Sequence, residues 1–446
     1  MNARFILHCA ASIVLCSILA TSASATELKV KGNLDIYGMS SANLRDFNSE
    51  VGDADNYYTT QRMRTYFSFV SSENLKAVLG LEMNTDWGQG MGGDWGTDGT
   101  DYMRVKHAYM DFTIPDSQIQ VTAGLQSVAL PSVFGNPVFD DDAAALVVGG
   151  KISDNFGIAA GYTRGCDGYD NYDPIGDYDG KDDIDMAFVL APIEGEGFAV
   201  TPYFAYAWLG QNTIHLDVDG DATPDIMATD DTTAWILGAH AKLTMFKPLT
   251  FAADLVYGQS DWQYEDYDLE SNGWYAALAA SYDFDILTAT LFSTYATGFS
   301  DTDDDDLGVL PTLAEGWELT PYLGGARAFN TGASDGFATD TLGVGSNGTG
   351  LWTMGLVLDN ISFVDKLSHK LVLAYARGTS DEDSAALLTE EDSGFEVYLV
   401  NKYMIYENLA AINELGYFSA SCDDLEDKDY ELDASYFATI GFAYKF

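Results

Sequence analysis

Hydrophobic and polar residues alternate with a period of two along most of the chain from residue 28 onward. In the first such segment Leu28, Val30, Leu34 and Ile36 share one parity, and lysine, asparagine and aspartate stand on the other. The same alternation recurs at 75–84, 118–126, 274–284 and 436–446. A period of two predicts β-strands with one apolar and one polar face, and no long stretch has the 3.6-residue period of a helix. The sequence therefore predicts an all-β protein.

The connections between these segments alternate between short turns and long, acidic, glycine-rich loops. Short turns are predicted at 71–74, 114–117, 153–155, 246–248, 283–285 and 406–408. Long loops are predicted near 40–59, 88–101, 165–182, 210–231, 259–272, 300–347, 379–393 and 421–432. Strands joined by short turns at one end and by long loops at the other are typical of a transmembrane antiparallel β-barrel of the outer membrane. The segments favour eighteen strands, with sixteen as the alternative, and both termini at the short-turn end.

The lengths of the segments and their aromatic ends favour a barrel in lipid over a secreted β-sandwich, propeller or solenoid, which would also alternate. Backbone groups in hydrocarbon must be paired within the protein, so only helices and closed barrels span a membrane. A spanning strand needs about 9–11 residues, and the segments are about that long. Aromatic residues stand at strand ends, as at Tyr282 and Phe284 or Tyr444 and Phe446, where interfacial girdles form.

The N-terminal segment 1–25 has the features of a cleaved signal peptide. Arg4 supplies a positive charge, residues 5–20 are mostly apolar, and Ala23-Ser24-Ala25 is a small-x-small cleavage pattern. Residues 26–446 are then expected to form a single barrel domain. The expected location is the outer membrane of a Gram-negative bacterium.

Composition narrows the classes of partner. With 69 Asp+Glu against 21 Lys+Arg, the net charge is −48, which excludes a general nucleic-acid binder because phosphates would be repelled. Such a surface suits contact with water, ions, divalent cations and the lipopolysaccharide of the outer membrane. The few histidines and cysteines indicate neither a metal enzyme nor a required cofactor, and we expect no enzymatic activity.

Several motifs resemble those of bacterial outer-membrane general porins, most closely the homotrimeric porins of sulfate-reducing bacteria. The terminal segment 436–446 resembles the signal that the outer-membrane assembly machinery recognises, with Tyr444 and Phe446 as its aromatic residues. Residues 61–69 resemble the basic second strand of these porins, and 131–137 resemble their constriction loop, with Pro131, Phe134, Gly135 and Asn136. The residue-level match is confined mainly to 26–165. Leu125 and Val133 stand where general porins usually carry arginine and glutamate.

Alternation indicates which charges face the lumen. A lipid-facing Arg or Lys at the bilayer midplane costs about 2–4 kcal/mol. Met63, Phe67 and Phe69 share the opposite parity from the two arginines of the second strand. We therefore expect an inward-facing basic side of the pore constriction, although the same residues could instead lie at the rim. Its members are Arg62, Arg64, Arg104 and Lys106.

The predicted loop 127–145 differs from the other long loops because it is apolar and then acidic. An apolar loop is suited to packing against the inner wall of the barrel. Its terminal acidic residues would then face the basic side across a gap, together with Glu82 of the third strand. The residues of this predicted acidic side are Asp140, Asp141, Asp142 and Glu82. The alternative is that the aspartates merely begin the next strand.

Two further features lie in predicted external loops. Asp217, Asp219, Asp221 and Asp225 resemble the calcium loops of extracellular β-proteins, and the alternative is an acidic loop without fixed metal. Cys166 and Cys422 are the cysteines of the mature chain, and their compartment permits a disulfide, which the sequence leaves open.

Together these features predict a water-filled channel for passive diffusion of ions and small polar solutes. Charges beyond about 10 Å are largely screened at 0.1 M salt, so the external acids act mainly on the mouth of the channel. We therefore expect a weak to moderate preference for cations. The alternative is a substrate-selective channel of the sugar or organic-acid type.

Overall fold

The chain forms a closed β-barrel in a computed structural model. The structure describes residues 26–44, 47, 55–88, 103–166, 183–210, 215–216, 226–227, 232–263, 268–300, 307–329, 350–382, 384, 388–421 and 433–446. The predicted signal peptide, the predicted calcium ligands Asp217, Asp219, Asp221 and Asp225, and Cys422 lie outside these residues.

Eighteen long antiparallel strands make up the wall. Their bounds are β1 Glu27–Ala42, β2 Asp55–Ser72, β3 Leu75–Asp86, β4 Met103–Thr113, β5 Ile119–Ala129, β6 Asp140–Ser153, β7 Phe156–Cys166, β8 Ile184–Leu190, β9 Phe198–Leu209, β10 Thr232–Leu243, β11 Leu249–Gln263, β12 Asp268–Asp283, β13 Thr288–Ala296, β14 Leu351–Val364, β15 Leu367–Gly378, β16 Ser393–Tyr406, β17 Leu409–Ser421 and β18 Ser435–Lys445. Ile193–Gly195 forms a short extra strand between β8 and β9, and His215–Leu216 pairs with Ile226–Met227.

Each long strand pairs with the next one in the chain, and β18 pairs with β1 to close the barrel. The prediction of eighteen strands is confirmed, and the alternative of sixteen is not. Glu27 lies opposite Val70, beside the turn from β2 to β3, and Tyr444 lies opposite Leu409, beside the turn from β16 to β17. Both ends of the wall therefore lie at the short-turn end, as predicted.

The outer face of the wall is an apolar band. On four successive strands the leucines at one parity are more than half exposed, at 56%, 61%, 54% and 62% for Leu237, Leu255, Leu278 and Leu291. Aromatic residues flank this band, with Tyr282 and Phe284 exposed at the short-turn end and Trp208 and Trp274 exposed towards the long loops. Exposed leucines between aromatic rows are the arrangement expected of a surface that faces lipid.

The described residues contain no helix that is long and apolar enough to cross a membrane.

Two of the predicted long loops differ from expectation. The ladder between β11 and β12 continues to Gln263 and Asp268, so the predicted loop 259–272 is mostly strand, because its polar residues still form backbone pairs. In the predicted external loop 300–347, the described part 307–329 contacts inward-facing side chains of the wall, including Tyr275 and Glu396. That segment therefore lies inside the barrel.

Candidate pore constriction

The register of β1 and β2 fixes the direction of the basic side chains. Met63 lies opposite Leu34 on one face, and Arg62 and Arg64 lie opposite Asp35 and Asn33 on the other. The same face of β1 carries Tyr37, which contacts the segment inside the barrel. Arg62 and Arg64 therefore face the lumen, where the alternation places them.

Glu82 of β3 is the centre of a compact charged cluster. Arg64 Nε donates to its Oε2 at 2.6 Å, and the Nε atoms of Arg62 and Arg104 each lie 3.7 Å from its carboxylate. Asn84 Nδ2 donates to Oε1 at 3.0 Å, and Asn84 Oδ1 accepts from Arg62 Nε at 2.9 Å. Three guanidinium groups therefore surround one carboxylate, so this part of the wall keeps a net positive charge.

A β-bulge in β4 adds a second charged pair beside this cluster. The register between β3 and β4 shifts after Gly80, so Lys106 falls between the residue pairs of the ladder. Its Nζ is bonded to Asp142 of β6, and His107 Nε2 lies 3.0 Å from the other oxygen of that carboxylate. The bulge allows two consecutive residues, Lys106 and His107, to bind the same partner.

The acidic side is arranged differently from the prediction. Asp140, Asp141 and Asp142 begin β6, where they pair with Ala129, Val128 and Ser127, because their backbone extends the β5–β6 ladder beyond the loop. Asp142 and Glu82 touch the basic residues directly. Glu82 and Asp142 are thus paired with basic residues along the wall, on the next strand or the one after it, and do not face them across a gap.

The loop between β5 and β6, residues 130–139, folds into the barrel as predicted. Val133 N donates to Asp254 Oδ2 of β11 at 2.7 Å, and the Phe134 ring meets Phe292 of β13 edge-on, with centroids 5.8 Å apart. The Asp254 side chain is 1% exposed and also lies 2.7 Å from His240 Nδ1. The loop therefore crosses the interior to the far wall, and Asp254 holds it there.

Asn136 and Gly135 shape this constriction loop. Asn136 is fully buried, its Oδ1 accepts from Val138 N and Phe139 N, and its Nδ2 donates to Tyr203 OH of β9 at 3.0 Å. Pro131 O also accepts from Asn136 Nδ2, at 3.4 Å. Gly135 has φ +76°, and a Cβ there would lie 1.7 Å from the carbonyl oxygen of Gly316. A glycine is required because another backbone passes against it.

That neighbouring backbone belongs to a second inner loop, residues 307–329, between β13 and β14. Gly316 N donates to Asn136 O at 3.0 Å, and Glu318 N donates to Phe134 O at 2.8 Å. Trp317 Nε1 donates to Tyr275 OH of β12 at 3.1 Å. Backbone bonds therefore join the two inner loops into one partition.

Two buried carboxylates of the wall hold the second inner loop. Glu396 of β16 accepts from Thr320 Oγ1 and from Tyr322 N. Glu414 of β17 accepts from Ala328 N at 2.8 Å, and its side chain is 0% exposed. Sequence reasoning missed these residues. The available signal was the apolar run around Trp317 to Leu323 within an acidic loop, the same signal that identified the first inner loop.

The inner loops and the charged cluster occupy different parts of the wall. The described contacts of the inner loops lie on β1, β9, β11, β12, β13, β16, β17 and β18 and reach β6 at Asp140, whose N donates to Ala314 O. The basic residues lie on β2 and β4, and Glu82 lies on β3. A solute that passes the partition would therefore move along a wall lined by arginine, lysine, histidine and their carboxylate partners.

Comparisons with known proteins support the fold. No family model and no curated protein sequence matches the chain. Among solved structures, OccAB3 of Acinetobacter baumannii is similar with a TM-score of 0.55 at 10% identity, covering 94% of this chain and 99% of that one. OpdL of Pseudomonas aeruginosa is similar with a TM-score of 0.53 at 12% identity, covering 94% of this chain and 99% of that one. A BenF-like porin from Pseudomonas fluorescens Pf-5 is similar with a TM-score of 0.52 at 11% identity, covering 94% of this chain and 98% of that one. The chain shares with these proteins the architecture of a closed outer-membrane-type barrel.

Proposed function

We propose that this protein is a water-filled channel through which ions and small polar solutes cross the outer membrane passively. The observation that carries the proposal is a closed barrel with an apolar outer band, a charged inner wall and an inward-folded loop. A closed barrel with an apolar exterior belongs in lipid, and for a bacterial β-protein that lipid is the Gram-negative outer membrane. Barrels of this size can enclose an aqueous lumen.

The ion preference we propose is weak to moderate and for cations. The basic residues of the wall are partly neutralised by Glu82 and Asp142, which reduces their effect on passing ions. The net charge of −48 then favours cations at the mouth. Reversal potentials across planar bilayers under a salt gradient test this, and a potential of the sign that indicates anion preference would contradict it.

A substrate-selective channel, of the sugar or organic-acid type, is the second candidate. It is favoured by the two inner loops, which narrow the lumen, and by the three guanidinium groups around Glu82. Liposome swelling separates the candidates. A general channel gives rates that follow solute size, whereas a selective one saturates with a particular solute.

The assembly of the protein is part of the proposal. We propose a homotrimer, with Tyr444 and Phe446 recognised by the assembly machinery and with external acids bridged to lipopolysaccharide by calcium or other divalent cations. Phe446 is 39% exposed and stacks with Tyr444 at 5.7 Å, so both rings are accessible on the outer face. Crosslinking of the protein in native membranes tests the trimer, and a monomer alone would contradict it.

A further inference from the structure

The closing seam of the barrel, where β18 pairs with β1, differs from every other contact between neighbouring strands of the wall. All the other neighbours are consecutive in the chain, whereas these are the last strand and the first. Their ladder joins Asn33–Ala42 to Tyr436–Lys445. Because the entropic cost of closing a loop grows with its length, pairing the first strand with the last carries the largest entropic cost of any strand pair in the wall.

The second inner loop reaches this seam with its last residues. The Phe329 ring stacks on Tyr37 of β1, with centroids 4.6 Å apart and planes 18° apart. The Arg327 guanidinium lies over the rings of both Tyr37 and Phe437 of β18, at 5.6 and 5.4 Å. One side chain of the loop therefore contacts both strands of the seam from inside.

A series of hydrogen bonds makes the same connection nearer to the long-loop end of the seam. Tyr322 OH lies 3.1 Å from Ser435 Oγ of β18, and Ser435 Oγ lies 3.0 Å from Ala42 O of β1, to which it donates. Tyr322 is 2% exposed and its ring is 5.9 Å from that of Phe437. The loop, the last strand and the first strand are thus linked through consecutive polar contacts.

The segment is itself fixed to the wall next to the seam. Glu414 of β17 accepts from Ala328 N at 2.8 Å and from Tyr398 OH at 2.5 Å, and it lies 3.9 Å from Arg327. The side chains of Arg327 and Glu414 are 2% and 0% exposed. A buried cation and a buried anion this close hold one geometry, because separating them would leave each charge without its partner.

We propose that residues 320–329 form an internal clasp that holds the first and last strands of the barrel together. The clasp is independent of what passes through the channel. It makes the inner loop a part of barrel closure as well as a narrowing of the lumen. Loss of the clasp is then expected to loosen the seam more than the rest of the wall.

The test compares two large-to-small substitutions in the same loop, in the full mature chain folded in detergent. Phe329→Ala removes a contact at the seam, and Leu310→Ala removes a buried side chain that packs beside Gly258 of β11, outside the clasp. Hydrogen–deuterium exchange is measured for the amides of β1 and β18. We expect Phe329→Ala to accelerate their exchange by at least about tenfold and Leu310→Ala to leave it near wild type. Equal acceleration in both variants, or none in Phe329→Ala, would overturn the proposal.

A second variant covers failure of Phe329→Ala to fold. Ser40 and Ala438 are directly opposite across the seam and both face outward. In a chain whose native cysteines are replaced by serine, Ser40→Cys with Ala438→Cys can form a disulfide between the two strands. This bond is expected to restore folding of Phe329→Ala, measured by the heat-sensitive migration of the barrel in gels. A variant that stays unfolded with the bond formed would overturn the clasp.

Discussion

At the scale of single residues, charge balance at the wall depends on Glu82. The prediction concerns Glu82→Gln, which keeps the size of the side chain and removes the negative charge. Three arginines then lose their common counter-charge, so the reversal potential is expected to shift towards anions. Glu194→Gln, an exposed change in the short strand Ile193–Gly195 between β8 and β9, is the control and should leave the potential unchanged. Equal shifts in both variants would show that the cluster does not influence passing ions.

Asp254 of β11 anchors the constriction loop to the wall, whereas Glu82 balances charge. Asp254→Ala removes the acceptor of Val133 N and the partner of His240, and a hydrogen bond to a charged group is worth about 1.5–3 kcal/mol. We expect the loop to move more and the noise of the open-channel current to rise several-fold. Asp111→Asn is the control, because it removes another carboxylate charge of the wall, one paired with Lys76. The same noise in both variants would argue against an anchor.

How much of the site the sequence predicts also differs from residue to residue. The sequence predicts the inner face for Arg62 and Arg64 because lipid excludes charge from the other parity, and the register sets them opposite Asp35 and Asn33. The direct contacts of Glu82 and Asp142 with the basic residues were not predicted, because they depend on strand register and on the bulge at Lys106. The alternation of apolar and polar residues reveals neither the register nor the bulge. It predicts which face of the strand a residue lies on, but not which residue lies opposite it on the next strand.

At the scale of elements, the two inner loops act as one body because of the close approach at Gly135. Gly135→Ala places a methyl group 1.7 Å from Gly316 O and strains a φ of +76°. The loops must separate, so a larger single-channel conductance is expected. Gly88→Ala is a matched control, since Gly88 has φ +86° but a Cβ there meets nothing within 4 Å. Unchanged conductance in Gly135→Ala would contradict the joined partition.

The strands were more predictable than the loops for a physical reason. A spanning strand must present apolar groups to lipid at every second position, and that requirement is written in the sequence at 274–284 and 436–446. A loop has no such period. The apolar residues of the first inner loop, such as Phe134, predict its inward fold, whereas the acidic residues 303–306 make the whole of 300–347 resemble an external loop and hide the apolar residues of 307–329.

At the scale of the whole molecule, the net charge of −48 and the local basic wall compete, and salt changes their balance. The Debye length falls from about 10 Å at 0.1 M to about 3 Å at 1 M ionic strength. The acids at the mouth lie farther from the passing ion than the wall residues do, so their influence is lost first. We expect the ratio of cation to anion permeability to fall as salt rises. A ratio independent of salt would contradict control by the distant acids.

The most direct measurement is of single-channel currents from the purified mature protein in planar lipid bilayers. A water-filled barrel narrowed by two anchored loops predicts discrete conductance steps that scale with the concentration of the bathing salt, and a trimer predicts that they close in three steps. A protein that inserts into the bilayer and passes no current in any salt would contradict the channel.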